Sequence, residues 1–524
     1  MRSFDGFVGR LAGLAVGSVL AFGGAALAED AQPVPVNMHP KLTREAVDNA
    51  VAELDAMATE AASRGTVPGL AIAVVFEGET IWARGYGVRE VGQDARVDAD
   101  TVFQLASVSK PVGATVVAAL VGKRRITWDS RIGELDPGFA LSAPWISDQV
   151  TIRDLYAHRS GLPDHAGDIL EDMGYPREEV LRRLRFLEPS SSFRSGYDYT
   201  NFGLTEAAVA AASAYGLEWA DASEEFLYGP LGMASTSSRY ADFEARANKA
   251  AGHVMEDGRW VHGAQRQPDA QSPAGGVSSS VNDMAKWLRL QLDGGIYEGE
   301  RIVPADALTE AHLPHMLTEP HTPFGYPGFY GLGWNVGFLP DGRAKLSHSG
   351  AFAMGAATAI SVFPDDGLAI VVLTNAAPIG LPEALAATFA DIAFYGHATE
   401  DWLPLYAGLF RKMAEAEVGP DLSHPPADAV PPAALDAYVG NYVNDFFGSV
   451  EIARNGDGLA MVVGPRSLTF PLTHYDRDLF TWETTGENAI GTSSVVFTLD
   501  QDRRATGMIV GQFDAFGDGR FTRE

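Results

Sequence analysis

Apolar residues recur at a helical spacing near the start of this chain and at a strand spacing soon after, and the period switches again several times. Val47, Val51, Leu54 and Ala58 share one helical face behind Thr43, a good N-terminal cap. Two β-rich runs, 70–76 and 80–88, flank Glu77-Gly78-Glu79 and predict a hairpin. The Ala- and Val-rich run 111–121 reads as a buried helix, although its periodicity also fits a strand. A middle region, about 163–310, mixes helices and loops. Within it, Ser280-Val281-Asn282-Asp283 has the form of a capping box ahead of Met284, Trp287 and Leu288. Short β-rich runs follow at 332–338, 356–362 and 368–373, the last two joined by Pro364-Asp365-Asp366-Gly367. A helical stretch covers 381–416. Strands, then helices, then strands predict an α+β fold rather than a parallel βαβ array.

Pro420, Pro425, Pro426, Pro431 and Pro432 then break all periodicity, as a linker does. Beyond them, 438–524 alternates short β-rich runs with Gly, Asp and Asn turns, which predicts a small all-β barrel or sandwich. At the other end, Arg2 and Arg10 precede an apolar run, 11–27, that closes on Ala26-Leu27-Ala28. That is the pattern of a cleaved export signal, so the mature chain is expected outside the cytoplasm, in the periplasm or secreted, and free of the membrane. The expected organisation is therefore a signal at 1–28, a main domain at 29–418, a linker at 419–432 and an accessory β domain at 433–524.

Composition narrows the partners. Among 524 residues, 39 Lys and Arg stand against 68 Asp and Glu, and the formal charge of −29 repels phosphate backbones. Nucleic acid is thus not expected as a partner. There is no Cys, so neither a disulfide nor a lipidated Cys is available. His312, His315 and His321 cluster without an acidic or Cys partner at ligand spacing, so no metal is expected.

Chemistry concentrates in three short segments. Ser107-Val108-Ser109-Lys110 would place a hydroxyl and an amine on one helical face, one turn apart. A serine hydroxyl needs a base, and a lysine serves as one when a dry setting lowers its pKa. Phe103, Leu105, Ala106, Val112, Ala114 and Val116 supply that setting. A helix N-terminus at Ser107 would also aim backbone amides at a developing oxyanion. Tyr199-Thr200-Asn201 offers a phenol to relay a proton and a carboxamide to hold a substrate amide. His348-Ser349-Gly350 lies between two predicted strands. Gly350 there would let a substrate approach closely, and the Ala351 amide is a candidate second oxyanion donor.

Ser-x-x-Lys, Tyr-x-Asn and His-x-Gly, in this order, resemble the active site of the penicillin-binding-protein and β-lactamase-like serine hydrolases. The Tyr-x-Asn form is similar to class C β-lactamases, D-aminopeptidases and related esterases. Phe103-Gln104-Leu105-Ala106, Leu155-Tyr156-Ala157-His158-Arg159-Ser160-Gly161-Leu162 and Pro273-Ala274-Gly275-Gly276 add to the likeness, which covers about 67–375. The resemblance implies an antiparallel sheet flanked by helices, an all-α region and a site between them. It implies that Ser107 forms an acyl-enzyme, with Lys110 and Tyr199 sharing its proton and the choice of base left open. It further implies that Asn201 binds the acyl amide and that His348 bonds toward Tyr199 or the substrate. The oxyanion would rest on the Ser107 and Ala351 amides, with no cofactor. His158 and Ser160 read as structural.

The third segment departs from a dedicated β-lactamase. Lysine there is a permanent cation for a β-lactam carboxylate, whereas histidine is mostly neutral near pH 7. The His-x-Gly form and the appended module, which resembles lipocalin-like domains of some relatives, imply hydrolysis of amide bonds in small peptides, with D- or non-protein residues among them. A carboxylesterase, a β-lactamase or DD-peptidase, and a non-catalytic cell-wall-fragment binder are the alternatives. Phe324, Tyr326, Phe329, Tyr330 and Trp334 read equally as an apolar pocket wall or as core, with Tyr330 and Trp334 leaning to structure.

Overall fold

The computed structural model describes residues 39–320, 322 and 325–524, of which Lys41–Glu524 form one compact unit. The expected signal, 1–28, lies outside the described residues, as do His321 and Phe324. Thr43 caps the first helix, α1 (Arg44–Ser63), by accepting from the Ala46 amide. Val47, Leu54 and Ala58 are buried as the stripe predicts. Val51 is only half-buried, and Ala50 takes the fully buried place instead.

The run Gly69–Phe76 (β1) is apolar at every position because both its faces are covered. Leu70, Ile72 and Val74 pack with Val47 and Leu54, while Ala71, Ala73 and Val75 join a second, larger core with Trp287 and Leu288. A two-residue turn, Glu77 and Gly78 at φ 47° and 77°, returns the chain into Glu79–Gly87 (β2). The nucleophile motif leads into α2 (Ser109–Gly122), buried at nearly every position, which settles the helix-or-strand question. Around it stand short helices, including α3 (Asp168–Asp172), α4 (Asn201–Ser213) and α5 (Val281–Leu292). Ser280 caps α5, but the reciprocal half of the expected box is missing. Asp283 turns instead to the Ser235 amide at 2.7 Å and to Thr236, tying down a neighbouring loop.

The other strands of the main sheet are β3 (Met316–Glu319), β4 (Gly328–Tyr330), β5 (Asn335–Phe338), β6 (Ala344–Phe352), β7 (Ala356–Phe363) and β8 (Leu368–Thr374). They complete an eight-stranded antiparallel sheet in the order β2-β1-β8-β7-β6-β5-β4-β3. Two features differ from the sequence reading. The predicted strand at 332–338 shortens to β5, because Leu332 is drawn to the Ala311 carbonyl. His348-Ser349-Gly350 lies inside β6 rather than between strands. The helical stretch 381–416 is two helices, α6 (Leu381–Tyr395) and α7 (Trp402–Glu417), parted at Gly396 with φ 78°. α6 packs beside α1 over the sheet.

Eight antiparallel strands close the C-terminal barrel: β9 (Gly440–Asn444), β10 (Gly448–Asn455), β11 (Gly458–Val463), β12 (Leu468–Asp476), β13 (Leu479–Glu483), β14 (Thr492–Leu499), β15 (Ala505–Val510) and β16 (Arg520–Arg523). Inward positions alternate along them, and rings from Tyr438, Phe480 and Phe497 meet inside at 4.8–5.8 Å. The proline-dense segment lies against this barrel, since Val430 pairs with Asp476 and Arg477.

Candidate active site

Ser107 occupies a 3₁₀ turn, Ala106–Val108, that runs straight into α2. Three anchors hold this turn. Leu105 donates to the Val277 carbonyl, Thr358 on β7 donates its hydroxyl to the Leu105 carbonyl at 2.7 Å, and the Ser109 hydroxyl accepts from the Val277 amide at 2.9 Å. Ala106 is buried at φ +47°, a left-handed conformation unfavourable for a side chain with a Cβ. Such conformations persist where surrounding structure over-determines them.

Lys110 is fully buried, and its Nζ has three neighbours: Ser107 Oγ at 3.1 Å, Asn201 Oδ1 at 2.7 Å and the Ala274 carbonyl at 3.0 Å. The Tyr199 ring centroid lies 4.5 Å from the same nitrogen. Burial drops the amine from its ordinary 10.5 to about 7; the Asp168 carboxylate pulls upward and Arg266 pushes down. Tyr199 donates its hydroxyl to Ser107 Oγ at 2.9 Å. Burial holds that phenol well above its ordinary range, so it stays protonated. The structure thus brings residues 107, 110 and 199 onto one hydroxyl.

Asn201 supports Lys110 directly. Its Oδ1 accepts from Lys110 and one Nδ2–H goes to Asp168 Oδ2 at 2.7 Å, while the second N–H of the carboxamide enters neither bond. A buried amine needs acceptors in place of water, and Asn201 is one of them. Asp168 in turn binds His165 Nδ1 at 2.8 Å. Burial lowers the His165 pKa, but the Asp168 and Asp164 carboxylates win and raise it to about 9.

Of the two partners expected for His348, Tyr199 is not the one it bonds within the protein. Nδ1 lies 2.7 Å from the Ser349 carbonyl and Nε2 2.9 Å from the Tyr330 hydroxyl. A carbonyl only accepts, which assigns the proton to Nδ1 and makes Tyr330 the donor to Nε2. Burial, with Lys110 nearby, lowers His348 to about 3, so it is neutral at working pH. Gly350 allows a close backbone approach: a Cβ there would lie 2.3 Å from the Leu105 carbonyl oxygen and 3.0 Å from the Ser107 amide nitrogen. β6 therefore runs hard against the nucleophile turn, and Ala351, the next residue, is exposed beside it. The β5 pairing covers only 344–347 of β6, so this stretch has one strand edge clear of β5.

His158 accepts from the Thr200 amide at 3.1 Å and packs against Tyr199 and Tyr330, which fixes the phenol's direction. Of the aromatic run, Trp334 stacks on Trp287 in the core, Tyr330 backs His348, and Tyr326 is exposed. His312 bonds Gln291 and His315 bonds the Glu310 carbonyl, and among the described residues no group of His, Asp and Glu is arranged to hold a metal. Asp168 was missed by sequence reasoning. The one local signal was a His and an Asp three apart.

A family model for Beta-lactamase matches residues 47–393, and a model for a domain of unknown function, DUF3471, matches 424–521. The chain is 27% identical to Unguisins hydrolase ungD' of Aspergillus campestris, over 72% of this chain and 73% of that one. It is 27% identical to Penicillin-binding protein 4 of Amycolatopsis lactamdurans (70% and 90% covered) and 26% identical to Esterase EstB of Burkholderia gladioli (66% and 95% covered). In fold it matches the octameric penicillin-binding protein homologue from Pyrococcus abyssi with a TM-score of 0.58 at 21% identity, covering 90% of this chain and 100% of that one. With the sheet, the helical region and the family match in agreement, the chain belongs to the Beta-lactamase family, whose members are serine hydrolases.

Proposed function

We propose that this protein hydrolyses amide bonds of small peptides through an acyl-enzyme on Ser107, with the neutral Lys110 amine as base. One observation carries the reading. Two of the three neighbours of Lys110 Nζ, the Asn201 and Ala274 carbonyl oxygens, only accept hydrogen bonds. They take both N–H bonds of a neutral amine, and the lone pair is left facing Ser107 Oγ at 3.1 Å. A pKa of about 7 keeps a large neutral fraction at physiological pH.

In acylation the Ser107 proton passes to Lys110 as Oγ bonds the carbonyl carbon. The carbonyl oxygen, now negative, is placed between the Ser107 and Ala351 amides. On collapse the C–N bond breaks, and the leaving nitrogen takes a proton from Tyr199, which is refilled from the Lys110 ammonium. Water then attacks the ester, gives its proton back through the same pair, and frees the acid. Tyr199, held protonated, acts as donor and relay rather than as the primary base. The substrate class rests on the third motif, where a neutral imidazole offers no permanent cation to a β-lactam carboxylate.

The test is a panel of p-nitrophenyl esters, D- and L-amino-acid p-nitroanilides and nitrocefin, run on wild type and Ser107→Ala. Anilide and ester turnover that disappears in Ser107→Ala supports the reading. Turnover surviving in Ser107→Ala removes Ser107 as nucleophile, and nitrocefin turnover far above the others makes the protein a β-lactamase instead.

A further inference from the structure

One loop joins the barrel to elements that surround Ser107 and Lys110. Between β13 and β14, residues 484–491 leave the barrel rim and lie against the hydrolase body. Glu487 Oε1 accepts from the Ala353 amide at 2.7 Å, and Oε2 accepts from the Met354 amide at 3.3 Å. These two amides belong to the tight turn between β6 and β7, whose last paired residues are Phe352 and Ala356. The turn begins two residues beyond Ala351.

The same carboxylate faces Arg266, whose Nη1 is 3.4 Å away and whose Nη2 binds Glu171 at 2.6 Å. The Arg266 guanidinium lies 4.4 Å from the Phe352 ring centroid, so the ring, the cation and both amides meet at 352–354. The neighbouring Asn488 binds α3. Its backbone and side chain bind Asp172 at 2.9 and 2.8 Å, and its Nδ2 reaches the Asp168 carbonyl at 3.3 Å. Asp168 is the residue that holds Asn201 against Lys110. The loop therefore touches both the strand bearing the Ala351 amide and the helix bearing the Lys110 support.

We propose that Glu487 is a positioning residue of the active centre: it pins the 353–354 turn and so sets the direction of the Ala351 amide at the moment the carbonyl oxygen becomes charged. The proposal rests on the acyl-enzyme reading above. Two successive backbone amides outside the strand pairing call for two acceptor oxygens, and a carboxylate supplies both in one side chain. The site is not an easy one for a charge. Burial raises Glu487 to about 7 against the pull of Arg266, and Asp172, itself raised by burial, adds to the effect. Glu171, also raised by burial, shares Arg266 from the other side.

The test compares full-length wild type, Glu487→Ala, Glu487→Gln and Glu487→Asp. It measures kcat and KM for p-nitrophenyl acetate, and hydrogen–deuterium exchange of the peptide covering 349–356. A displaced oxyanion donor predicts that Glu487→Ala lowers kcat about 10- to 100-fold with KM within about threefold. Glu487→Gln, which keeps the shape and one acceptor oxygen, should recover part of the rate. Exchange at the 353 and 354 amides should rise at least tenfold in Glu487→Ala. A folded Glu487→Ala with kcat within twofold of wild type overturns the proposal, and so does unchanged exchange at 353–354 or a loss carried by KM alone. If Glu487→Ala does not fold, the same criteria apply to Glu487→Asp, whose shorter side chain cannot reach both amides. Failure of the nucleophile assignment shows separately, as turnover retained in Ser107→Ala.

Discussion

Replacing Asp168 by Asn removes one negative charge while keeping an oxygen for Asn201 and His165. The carboxylate acts on Lys110 through a single carboxamide. Two hydrogen bonds of 2.7 Å join the amine to Asn201 and Asn201 to Asp168, which puts the two charges at most about 8 Å apart. At an effective dielectric of about 20, such a pair is worth about 2 kcal/mol. That corresponds to roughly 1.5 pH units on the amine's titration. Asp168 favours the ammonium, so its loss favours the neutral base. Lys110 titrates at about 7, and the acid limb of kcat/KM reports the free enzyme's base. Asp168→Asn should therefore move that limb down, to between about 5.5 and 6, by the same Coulombic estimate. The assay is kcat/KM for a p-nitrophenyl ester from pH 4.5 to 9, with the spontaneous rate subtracted. Activity at pH 6 should rise relative to the plateau, even if the plateau itself falls. An acid limb that stays near 7 or moves upward would refute the electrostatic link between Asp168 and Lys110. Either result would leave the titrating group to be found elsewhere.

Tyr199→Phe should lower kcat by about 10²–10⁴ without moving the acid limb, because the phenol donates while protonated throughout that range; pH–rate profiles of the variant check both points. Gly350→Ala sets a Cβ 2.3 Å from the Leu105 carbonyl and 2.4 Å from Thr358 Oγ1, so β6 or the nucleophile turn must give way. A shift of about 1 Å predicts a loss of roughly 100-fold in kcat, read by steady-state kinetics on a folded variant. Asp154 is fully buried, and although burial works against its charge, bonds from Arg194, Thr151 and Arg159 hold its pKa below the usual 3.8. Its contribution is present above that value and is lost as pH falls through the lowered one. Asp154→Asn should cost about 3 kcal/mol in urea melts at pH 7, and the gap to wild type should narrow as the pH falls below 3.8.

The sequence was most legible where chemistry is local. Ser107 and Lys110 sit three apart on one helical surface, so spacing could propose their meeting, and the family resemblance of a short segment added Tyr199 to them. The hairpin from 69 to 87 and α1 were equally plain, because one period persists for many residues. What escaped depends on contacts distant in sequence. Asp168 stands on a helix of five residues with no periodic stripe, and its partner Asn201 is 33 residues away. Glu487 lies in an ordinary turn sequence and meets Ala353 across 134 residues. The role of His348 depended on which hydroxyl the fold brings to its Nε2, and Tyr330 prevailed over Tyr199 through the hairpin of β4 and β5. The support that Asn201 gives Lys110 escaped too, because nothing in a sequence shows that a buried amine will claim its oxygen.

The ring-filled interior of the barrel gives the C-terminal region a mechanical character. Tyr438, Phe480 and Phe497 pack together inside it, and close packing of this kind stiffens the barrel into a plate behind the loop. The strands on either side of residues 484–491 are braced by that filling, and Phe480 and Phe497 lie on those two strands. Softening the plate from within, far from any reacting atom, should thus slow turnover as surely as a change beside the nucleophile.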